Sequence, residues 1–517
     1  MWDPPPQRPV AIPRRAVLSS DPLLIVNAQR AVRAGERLSR VDVLIDRGRI
    51  VSVEEADADA RQATGQARRI DASSLILLPG LVNAHVHSNE AFERGLYPAL
   101  PLERWLTRTY PPLGAPAVPP RWHYLRAMLV ACDAIRSGTV ALQDDFLNPA
   151  CDAESLEQVV GAWSDSGLRA SIATTLADRP YLDGLPWARG LCDSLLARSI
   201  DARLGRSVAE QSSFFRAAHR RWNGASAGRI QLMLGPRGPQ RCSDSLLSEV
   251  AMLSRDHDCA VHMHVLETKT QRATSHLQTG GGFFVRLARA GLLNEKLTIN
   301  HAVWVDGQDI QAIADSGAFV THNPLSNQRL GSGTAPVRRL RSAGVRVALG
   351  TDGPATGDTA CMAAVLRAGS LLHRDADTNE SEWLGPDAAW EMATRLGAQS
   401  MGLEPAWGKL EPGAPADLIL LNARHRALIP HHDTVAQWAL SAGADLVDTV
   451  VINGELVMQA GRITAFDEER ILDEAREAGE RWQEQVQPAL EASGAMFDPL
   501  IGQVLDKVRT EAIHEAG

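Results

Sequence analysis

The sequence predicts an α/β protein, namely a (β/α)8 barrel with a small β-sandwich domain formed by both chain ends. Three observations lead to this fold class. The 517 residues, 44% of them hydrophobic and 22% charged, fit a globular chain too long for one ordinary domain. Eight apolar strand-like runs alternate with helical stretches in the middle of the chain. Short strand pairs with turn signals stand on both sides of that region.

The two ends of the chain share a β texture. After a Pro- and Arg-rich extension over residues 1–20, expected at the surface, short strands are predicted over 22–52. A hairpin turn is expected at Asp46–Gly48, between alternating apolar residues. The same pattern returns at 416–464, where Asn453–Gly454 is a strong signal for a type I′ turn. We therefore expect one small β domain built from both ends.

The central region predicts the barrel. Its apolar runs recur every 20–50 residues, at 81–87, 139–145, 169–176, 230–236, 260–267, 297–303, 319–324 and 345–353. A charged segment with helical periodicity follows Asp467 and is expected to pack across the barrel or a partner subunit. The predicted β domain has two parts, residues 1–75 and 405–465. The barrel lies between them over 76–404, and a helical tail follows over 466–517.

Charge and composition exclude several classes of function. The formal net charge of -9 and the pI near 5.9 argue against electrostatic capture of nucleic acid or an anionic membrane. No run of about 18 apolar residues and no secretory signal are visible. The six Cys contain no CxxC pair, which fits free thiols in a reducing compartment. We expect a cytoplasmic enzyme of a small-molecule substrate.

Histidines gather where the predicted strands end. His85 and His87 close the first barrel run as HVH, and the alternation of a strand places both side chains on one face. In a barrel, the carboxyl ends of the strands form the catalytic face, so this pair can chelate one metal ion. Other chemistry-bearing side chains at strand ends are His262, His264, Glu267, His301, His322 and Asp352.

Five segments carry a family resemblance, in the right order and over about residues 20–465. They resemble the metal-dependent amidohydrolase superfamily, in particular its cytosine-deaminase-like group, which includes triazine hydrolases and S-adenosylhomocysteine deaminases. The segments are LPGLVNAHVHSNEAFERG (78–95), HMHVLET (262–268), NHAVWV (300–305), HNPLSNQRLGSGTAPV (322–337) and LGTDG (349–353). The family habit implies a homodimer or larger homo-oligomer.

The resemblance also implies roles for individual residues. Glu267 matches the proton shuttle of the HxxE pattern, and His301 matches the sixth-strand His that contacts water or substrate. Asp352 is implied both to ligate the metal and to accept the proton of the attacking water. His262 is interpreted as a packed residue behind the ligands. The implied metal ligands are His85, His87, His264 and Asp352.

The lysine positions predict a single metal ion. Two-metal members of the superfamily bridge their ions with a carboxylated Lys on the fourth strand, and this chain has no Lys between Met1 and Thr268. One divalent ion is therefore expected. Three His and one Asp suit Zn²⁺, with Fe²⁺, Mn²⁺ or Co²⁺ as alternatives. Such an ion lowers the pKa of water from ~15.7 to ~7.

The loops after the strands supply candidate substrate contacts, namely Asn89, Trp105 and Asn323. Arg237 is a fourth candidate. It stands in GPRGPQRCS (235–243), where deaminases of the group often read PHAPYTCS with a substrate-facing His. This departure weakens the case for a nucleoside-type substrate. The aromatic and amide side chains of the loops favour a neutral, flat substrate.

We therefore predict a metal-dependent hydrolase of C–N bonds, most simply an aminohydrolase that deaminates a nitrogen heterocycle through a metal-activated water. Two alternatives use the same site. One is hydrolysis of an amide, urea or carbamate C–N bond, and the other is dehalogenation of a triazine-type ring. A non-catalytic relative is disfavoured because all four implied ligands are retained.

Overall fold

The structure is a computed structural model of the full chain. The predicted surface extension over 1–20 lies outside the described residues, as do 31–37, 57–66, 149, 204, 280–281 and 511–517. The described residues are 21–30, 38–56, 67–148, 150–203, 205–279 and 282–510.

The strands of the described residues fall into two sheets. In chain order they are β1 (Leu23–Arg30), β2 (Ser39–Asp46), β3 (Arg49–Glu55), β4 (Arg68–Asp71), β5 (Leu75–Pro79), β6 (Leu81–Val86), β7 (Thr139–Asp144), β8 (Arg169–Leu176), β9 (Ile230–Pro236), β10 (Val261–Val265), β11 (Leu297–His301), β12 (Phe319–His322), β13 (Arg346–Leu349), β14 (Leu418–Asn422), β15 (Val447–Ile452), β16 (Glu455–Gln459) and β17 (Arg462–Ile463).

The α-helices lie mostly between the strands of the second sheet. They are α1 (Leu102–Thr109), α2 (Pro120–Arg136), α3 (Ala153–Ser166), α4 (Ala188–Leu191), α5 (Ser194–Asp201), α6 (Val208–Trp222), α7 (Ala225–Gly228), α8 (Asp244–His257), α9 (Lys269–Thr279), α10 (Gly282–Arg289), α11 (Gly307–Ser316), α12 (Pro324–Arg329), α13 (Val337–Ser342), α14 (Met362–Leu371), α15 (Pro386–Ala393), α16 (Arg395–Ser400), α17 (Thr434–Ser441), α18 (Glu468–Gln485) and α19 (Gln487–Thr510). Short 3-10 helices span Ser88–Glu93, Tyr181–Gly184, Pro239–Arg241, Glu380–Glu382, Arg426–Leu428 and Ala444–Leu446.

Strands β6 to β13 form the barrel. Each pairs in parallel with the next in chain order, and β13 lies against β6, so the sheet nearly closes. Every residue of β6, β7, β11 and β12 is buried. This follows from the position of these strands, with helices on one side and the packed interior on the other. All eight strands bring their carboxyl ends to the same face.

The second sheet is built from both chain ends. Its strand order is β17-β16-β15-β14-β5-β1-β2-β3, with β4 beside β1. β14 from the C-terminal part pairs antiparallel with β5 from the N-terminal part, and this pairing joins the two segments. The fold class predicted from the sequence, a barrel with a β domain drawn from both ends, is confirmed.

The predicted hairpins connect β2 to β3 and β15 to β16. Arg47–Gly48 and Asn453–Gly454 both have positive φ at both residues, as a type I′ turn requires. The two turns touch, because a Cβ on Gly48 would stand 2.8 Å from Asn453 Oδ1. This contact places the two chain ends side by side.

The chain passes from the second sheet into the barrel at Gly80. β5 ends at Pro79 and β6 begins at Leu81. A Cβ at Gly80 would lie 2.4 Å from both γ-carbons of Val140, so the crossing requires a residue without a side chain. The domain boundaries given above stay predictions. Strand β5 of the second sheet runs to Pro79, beyond the predicted boundary at residue 75.

The tail forms two helices that pack on this chain's own barrel. α18 lies against α2, and α19 lies against α1. Asp498 of α19 accepts hydrogen bonds from Arg104 and Arg108 of α1, at 2.8 Å each. Among the described residues, we find no helix with the length and apolar character needed to cross a membrane.

Candidate active site and metal centre

A cluster of histidines and one aspartate occupies the carboxyl-end face of the barrel. His85 Nε2 and His87 Nε2 each lie 3.3 Å from Asp352 Oδ1. His87 Nε2 is 3.2 Å from His264 Nε2. His301 Nε2 is 3.9 Å from Asp352 Oδ2. The four ligands implied by the sequence, together with His301, therefore point their ligand atoms into one small space.

The backbone around the cluster is held in conformations that L residues rarely adopt. His301 and Asp352 have φ of 74° and 62°. Asp352 donates its N–H to the carbonyl of His85 at 3.0 Å, which ties the end of the last strand to the first. Positive φ at non-glycine residues is a cost that clusters at functional sites.

Each candidate ligand is also held from behind by an outer partner, an arrangement that orients metal ligands. The outer contacts are His85 Nδ1 with His262 Nε2 at 2.7 Å, His87 Nδ1 with the Asp145 carbonyl at 2.7 Å, His264 Nδ1 with Asp145 Oδ2 at 3.5 Å, His301 Nδ1 with Asn327 Oδ1 at 2.9 Å, and Asp352 Oδ2 with Ser326 Oγ at 2.6 Å. The interpretation of His262 as a residue behind the ligands agrees with this geometry.

The inner atoms of the cluster fit a divalent cation. His301 Nε2 is buried without a hydrogen-bond partner among the described residues, and the buried His85 Nε2 faces Asp352 Oδ1 at 3.3 Å. His87 and His264 face each other through their Nε2 atoms at 3.2 Å. Converging imidazole nitrogens and a carboxylate oxygen are the donor set of a zinc-type site. Buried polar atoms without partners are costly, and a bound cation removes that cost.

The charges of the cluster agree with this assignment. Burial lowers the pKa of His85 to about 4. Burial opposes ionisation of Asp352, but the hydrogen bond and charge of His85 hold its pKa well below the ordinary value. Burial likewise acts to lower the pKa of His87, yet the carboxylates of Glu90, Asp352 and Asp145 outweigh it and raise this pKa to about 9. The centre therefore favours positive charge.

A cavity of about 870 Å³ opens on the cluster. Trp105 and Arg237, two of the four predicted substrate contacts, line it. Asn89 and Asn323 are buried behind the wall instead. Asn89 donates to Tyr110 Oη at 2.9 Å, and Asn323 Nδ2 lies 3.4 Å from His301 Nδ1. His322 is turned away and faces His373, with their Nε2 atoms 3.0 Å apart.

Glu267 lines the cavity beside the metal cluster. Its Oε2 lies 3.9 Å from His301 Nε2, and Ser332 Oγ donates to its Oε1 at 3.4 Å. Its backbone N–H donates to Gln271 Oε1 at 2.9 Å. Burial raises the pKa of Glu267 to about 7. A carboxyl group with a pKa near neutrality can both accept and release a proton there.

Sequence reasoning missed several residues of the site. Asp145 directly follows β7, so the strand-end rule that found the histidines would also have found it. Glu90 lines the cavity; Tyr110 Oη donates to its Oε1 at 2.7 Å, and its Oε2 has no hydrogen-bond partner among the described residues. Glu103 also lines the cavity and accepts a hydrogen bond from Thr268 Oγ1 at 2.7 Å. Glu90 lies within the first quoted segment, 78–95, and is one of its loop candidates without an assigned role, whereas Glu103 lies outside the five segments.

Comparison with known families gives one match over most of the chain. The Amidohydrolase family matches residues 76–457. This segment includes all eight barrel strands and β14 and β15 of the second sheet, ends within β16, and leaves the tail helices outside.

A curated relative aligns over nearly the whole chain. It is the 5-methylthioadenosine/S-adenosylhomocysteine deaminase of Desulforudis audaxviator, 34% identical over 465 residues, which are 90% of this chain and 100% of the relative.

Two solved structures are similar in fold. An adenosine deaminase from Xanthomonas campestris with bound zinc superposes with a TM-score of 0.77 at 26% identity, over 89% of this chain and 98% of that one. The atrazine chlorohydrolase of Arthrobacter aurescens TC1, complexed with zinc, gives a TM-score of 0.78 at 25% identity, over 88% of this chain and 100% of that one.

Proposed function

Because the chain belongs to the amidohydrolase family, we propose that it is a single-metal aminohydrolase that releases ammonia from an amino-substituted nitrogen heterocycle. Family membership makes it a metal-dependent hydrolase of carbon–nitrogen bonds. The observation that carries the finer proposal is the position of Glu267 in the cavity wall, with its Oε2 3.9 Å from Nε2 of His301 in the metal cluster. The adenine-containing compounds in the name of the curated relative make an adenine-type ring the first candidate.

The residues proposed to hold the ion are His85, His87, His264 and Asp352, with His301 beside them. All offer nitrogen or carboxylate oxygen, which supports Zn²⁺ as the resident ion. When bound, such an ion supplies the Lewis acidity that makes water a nucleophile at neutral pH. The absence of Lys before Thr268 in the sequence supports one ion rather than a Lys-bridged pair.

Glu267 moves the proton. As a carboxylate, it accepts a proton from the attacking water, since its Oε2 faces the same space as His301 Nε2. It then delivers that proton to the leaving nitrogen at the ring carbon, which leaves as ammonia. The Ser332 hydroxyl and the buried surroundings hold the carboxyl group in one orientation during both transfers.

His301 and Asp352 position the nucleophile. Asn327 Oδ1 accepts the Nδ1–H of His301 at 2.9 Å, so the ring is held with Nε2 toward the metal cluster, where it can orient the attacking water. Asp352 keeps its ionised form because His85, His87 and His301 surround it. Its carboxylate can receive a proton from the same water when Glu267 is already protonated.

The walls of the cavity suit a flat ring. Trp105, Tyr110 and Tyr181 present aromatic faces, and Leu102 and Leu106 add apolar surface. Stacking and apolar contact would hold a heterocycle over the metal cluster. Glu90 and Glu103 add carboxyl oxygens that can accept hydrogen bonds from ring or amino N–H groups.

The test is a deamination assay on the zinc-loaded protein. We expect ammonia release and the ultraviolet shift from adenine to hypoxanthine with at least one of adenosine, 5-methylthioadenosine and S-adenosylhomocysteine. Chelation should abolish the activity, and zinc should restore it. If the loaded enzyme deaminates none of these and no purine, pterin, pyrimidine or aminotriazine, the aminohydrolase proposal is wrong.

A second candidate is hydrolytic dehalogenation of a triazine-type ring on the same residues. The observation in its favour is Arg237, which occupies the place of the substrate-facing His seen in deaminases, together with the likeness to an atrazine chlorohydrolase. Measuring chloride and ammonia release side by side from a chloro-aminotriazine separates the two reactions, because each product identifies the bond that breaks.

We also propose a cell compartment and an oligomeric state for the enzyme. All six Cys are unpaired, which supports a reducing compartment such as the cytoplasm. The homodimeric or larger assembly stays a prediction, and the mass of the native protein by light scattering measures it directly.

A further inference from the structure

Two arginines in the wall of the active-site cavity have no role in the mechanism above. Arg237 and Arg241 follow β9; Arg237 precedes the short 3-10 helix Pro239–Arg241, and Arg241 is its last residue. Both line the cavity over the metal cluster, and both also line a second cavity of about 1270 Å³. The two cavities share Tyr110 and Tyr181, so they adjoin at the arginines.

Neither guanidinium group is paired with a carboxylate. The described part of the chain has no ion pair within 4.0 Å that involves Arg237 or Arg241. Arg241 Nε donates a hydrogen bond to the Arg179 carbonyl at 3.2 Å. Arg237 lies over the ring of Tyr110 at 5.6 Å, and Arg241 lies over the ring of Tyr181 at 5.7 Å.

The acidic side chains near the two arginines contact other residues. Asp178 accepts hydrogen bonds from the backbone N–H and the hydroxyl of Ser243, at the start of α8. Asp183 pairs with Arg189. Asp145 is turned toward His264, with 3.5 Å between Oδ2 and Nδ1. Among the described residues, Asp145 and Asp183 act on the two arginines only from beyond the 4.0 Å of an ion pair, Asp145 on Arg237 and Asp183 on Arg241.

The two positive charges act on each other. Burial first, and then the charge of Arg237, lower the pKa of Arg241 to about 10. Two neighbouring guanidinium groups in a partly desolvated wall are unfavourable until an anion joins them. The planar guanidinium fork is the group that binds carboxylate and phosphate oxygens in a bidentate manner.

Acidic and basic side chains are distributed unequally along the two cavities. The end at the metal cluster carries Glu90, Glu103, Glu267 and Asp352. The lining of the second cavity carries Arg179, Arg203, Arg237 and Arg241, with Asp178 as its acidic residue. A ligand that spans both would place hydrogen-bond donors at the metal end and negative charge at the other.

We propose that Arg237 and Arg241 form an oxyanion-binding subsite, and that the natural substrate carries a carboxylate or phosphate group at the end remote from the hydrolysed amine. The anion would lie between the two guanidinium groups at the passage to the second cavity. The identity of the other end of the substrate rests on the proposed function, whereas the anion subsite itself does not.

The first experiment tests the subsite without any heterocycle. Butyrate and inorganic phosphate are titrated into the zinc-loaded protein by calorimetry, at constant ionic strength set with NaCl. We expect at least one of them to bind the wild type, and Arg237→Met and Arg241→Met each to weaken that binding by about 10-fold or more, the scale of a lost charge-assisted bidentate pair. Arg255→Met, which removes an exposed arginine of α8, is the matched control and should bind as the wild type does.

The second experiment tests the substrate class. Affinities of 5-methylthioadenosine, S-adenosylhomocysteine and adenosine 5′-monophosphate are compared in the Glu267→Gln protein, in which the ligand is not consumed. We expect an anionic compound to bind at least about 10-fold more tightly than the neutral one, and this ratio to fall toward one in both arginine variants. Preference for the second compound identifies a carboxylate, and preference for the third identifies a phosphate.

The outcomes separate the two proposals. If neither simple anion binds the wild type, or if both arginine variants bind them as Arg255→Met does, the subsite is refuted, whatever the enzyme deaminates. If the anions bind in an arginine-dependent manner but no heterocycle binds or turns over, the subsite stands and the proposed function fails. Equal affinity for neutral and anionic nucleosides in the wild type contradicts the proposed substrate class.

Discussion

Glu267 Oε2 lies 3.9 Å from His301 Nε2, on the side of the metal cluster that faces the cavity. The two groups have different supports. Asn327 fixes the ring of His301 from behind, and Ser332 holds the carboxyl group of Glu267. A water molecule and a ring carbon that meet between them would have a proton acceptor on one side and an orienting imidazole on the other. This arrangement is the physical basis for the proposed proton transfer.

Removing a proposed ligand should remove metal and activity together. Purified protein is expected to hold about one divalent ion per chain, as a three-His, one-Asp site provides. His85→Ala and Asp352→Ala should each lose most of that ion and all measurable turnover. Metal analysis by mass spectrometry measures the ion content of each variant, and ammonia release measures its turnover. Two tightly bound ions per wild-type chain would contradict the single-metal site.

The partner behind His85 should tune metal affinity. His262 Nε2 lies 2.7 Å from His85 Nδ1 and fixes the orientation of that ring. His262→Leu removes this contact while keeping a buried side chain, so zinc affinity should fall about 10- to 100-fold, the usual effect of losing an outer partner of a ligand. Competition with a fluorescent chelator measures it. Unchanged zinc affinity would show that His262 serves packing alone.

The stability of the contact between the second sheet and the barrel should depend on one buried ion pair. Asp417 accepts hydrogen bonds from Arg169 of β8 at 3.0 Å and from the backbone N–H of Asn453 at 3.0 Å. Asp417→Ala leaves Arg169 buried without its carboxylate, so we expect a loss of about 3–5 kcal/mol in unfolding free energy. Urea unfolding followed by circular dichroism tests this.

A matched control for that variant lies on the surface. Asp506 pairs with Arg509 three residues away on α19, and both side chains are about 70% exposed. Asp506→Ala should cost no more than about 0.5 kcal/mol, since exposed pairs contribute little. Equal destabilisation by both variants would remove the special role given to Asp417.

The C-terminal helix should hold the wall of the cavity. Asp498 of α19 bonds Arg104 and Arg108 of α1, and α1 carries Trp105 and Glu103 into the cavity lining. A Cβ at Gly494 would stand 2.4 Å from Arg108, so the two helices are in close contact. Asp498→Asn should raise KM several-fold and change kcat less, because it loosens a wall and leaves the proton-transfer groups in place. Asp506→Ala on the same helix is the control, and a kcat loss without a KM change would contradict this role.

Much of the site was predictable because the barrel fold links sequence position to space. A residue that ends a parallel strand must lie at one face, so His85, His87, His264, His301 and Asp352 could be brought together from their positions alone. The hairpins were predictable for a similar reason, since two consecutive residues with positive φ favour Gly and Asn.

Loop residues were harder to place, because no periodicity fixes the direction of their side chains. Asn89 and Asn323 lie in loops after strands, as Trp105 and Arg237 do. The amide of Asn89, however, donates to Tyr110, and the amide of Asn323 lies beside His301. The expectation of a neutral substrate also came from composition. The two arginines beside the cavity could be recognised only when the structure showed that no carboxylate of the described residues forms an ion pair with them.

The most direct test of the account is Glu267→Gln in the zinc-loaded enzyme. The amide keeps the shape and the hydrogen bond from Ser332 but cannot accept the proton. Zinc content and thermal unfolding should match the wild type, while kcat for the best substrate falls by at least ~100-fold, the low end of a general acid–base contribution. A variant with full zinc content that turns over at close to the wild-type rate would show that Glu267 does not carry the proton and would contradict the proposed mechanism.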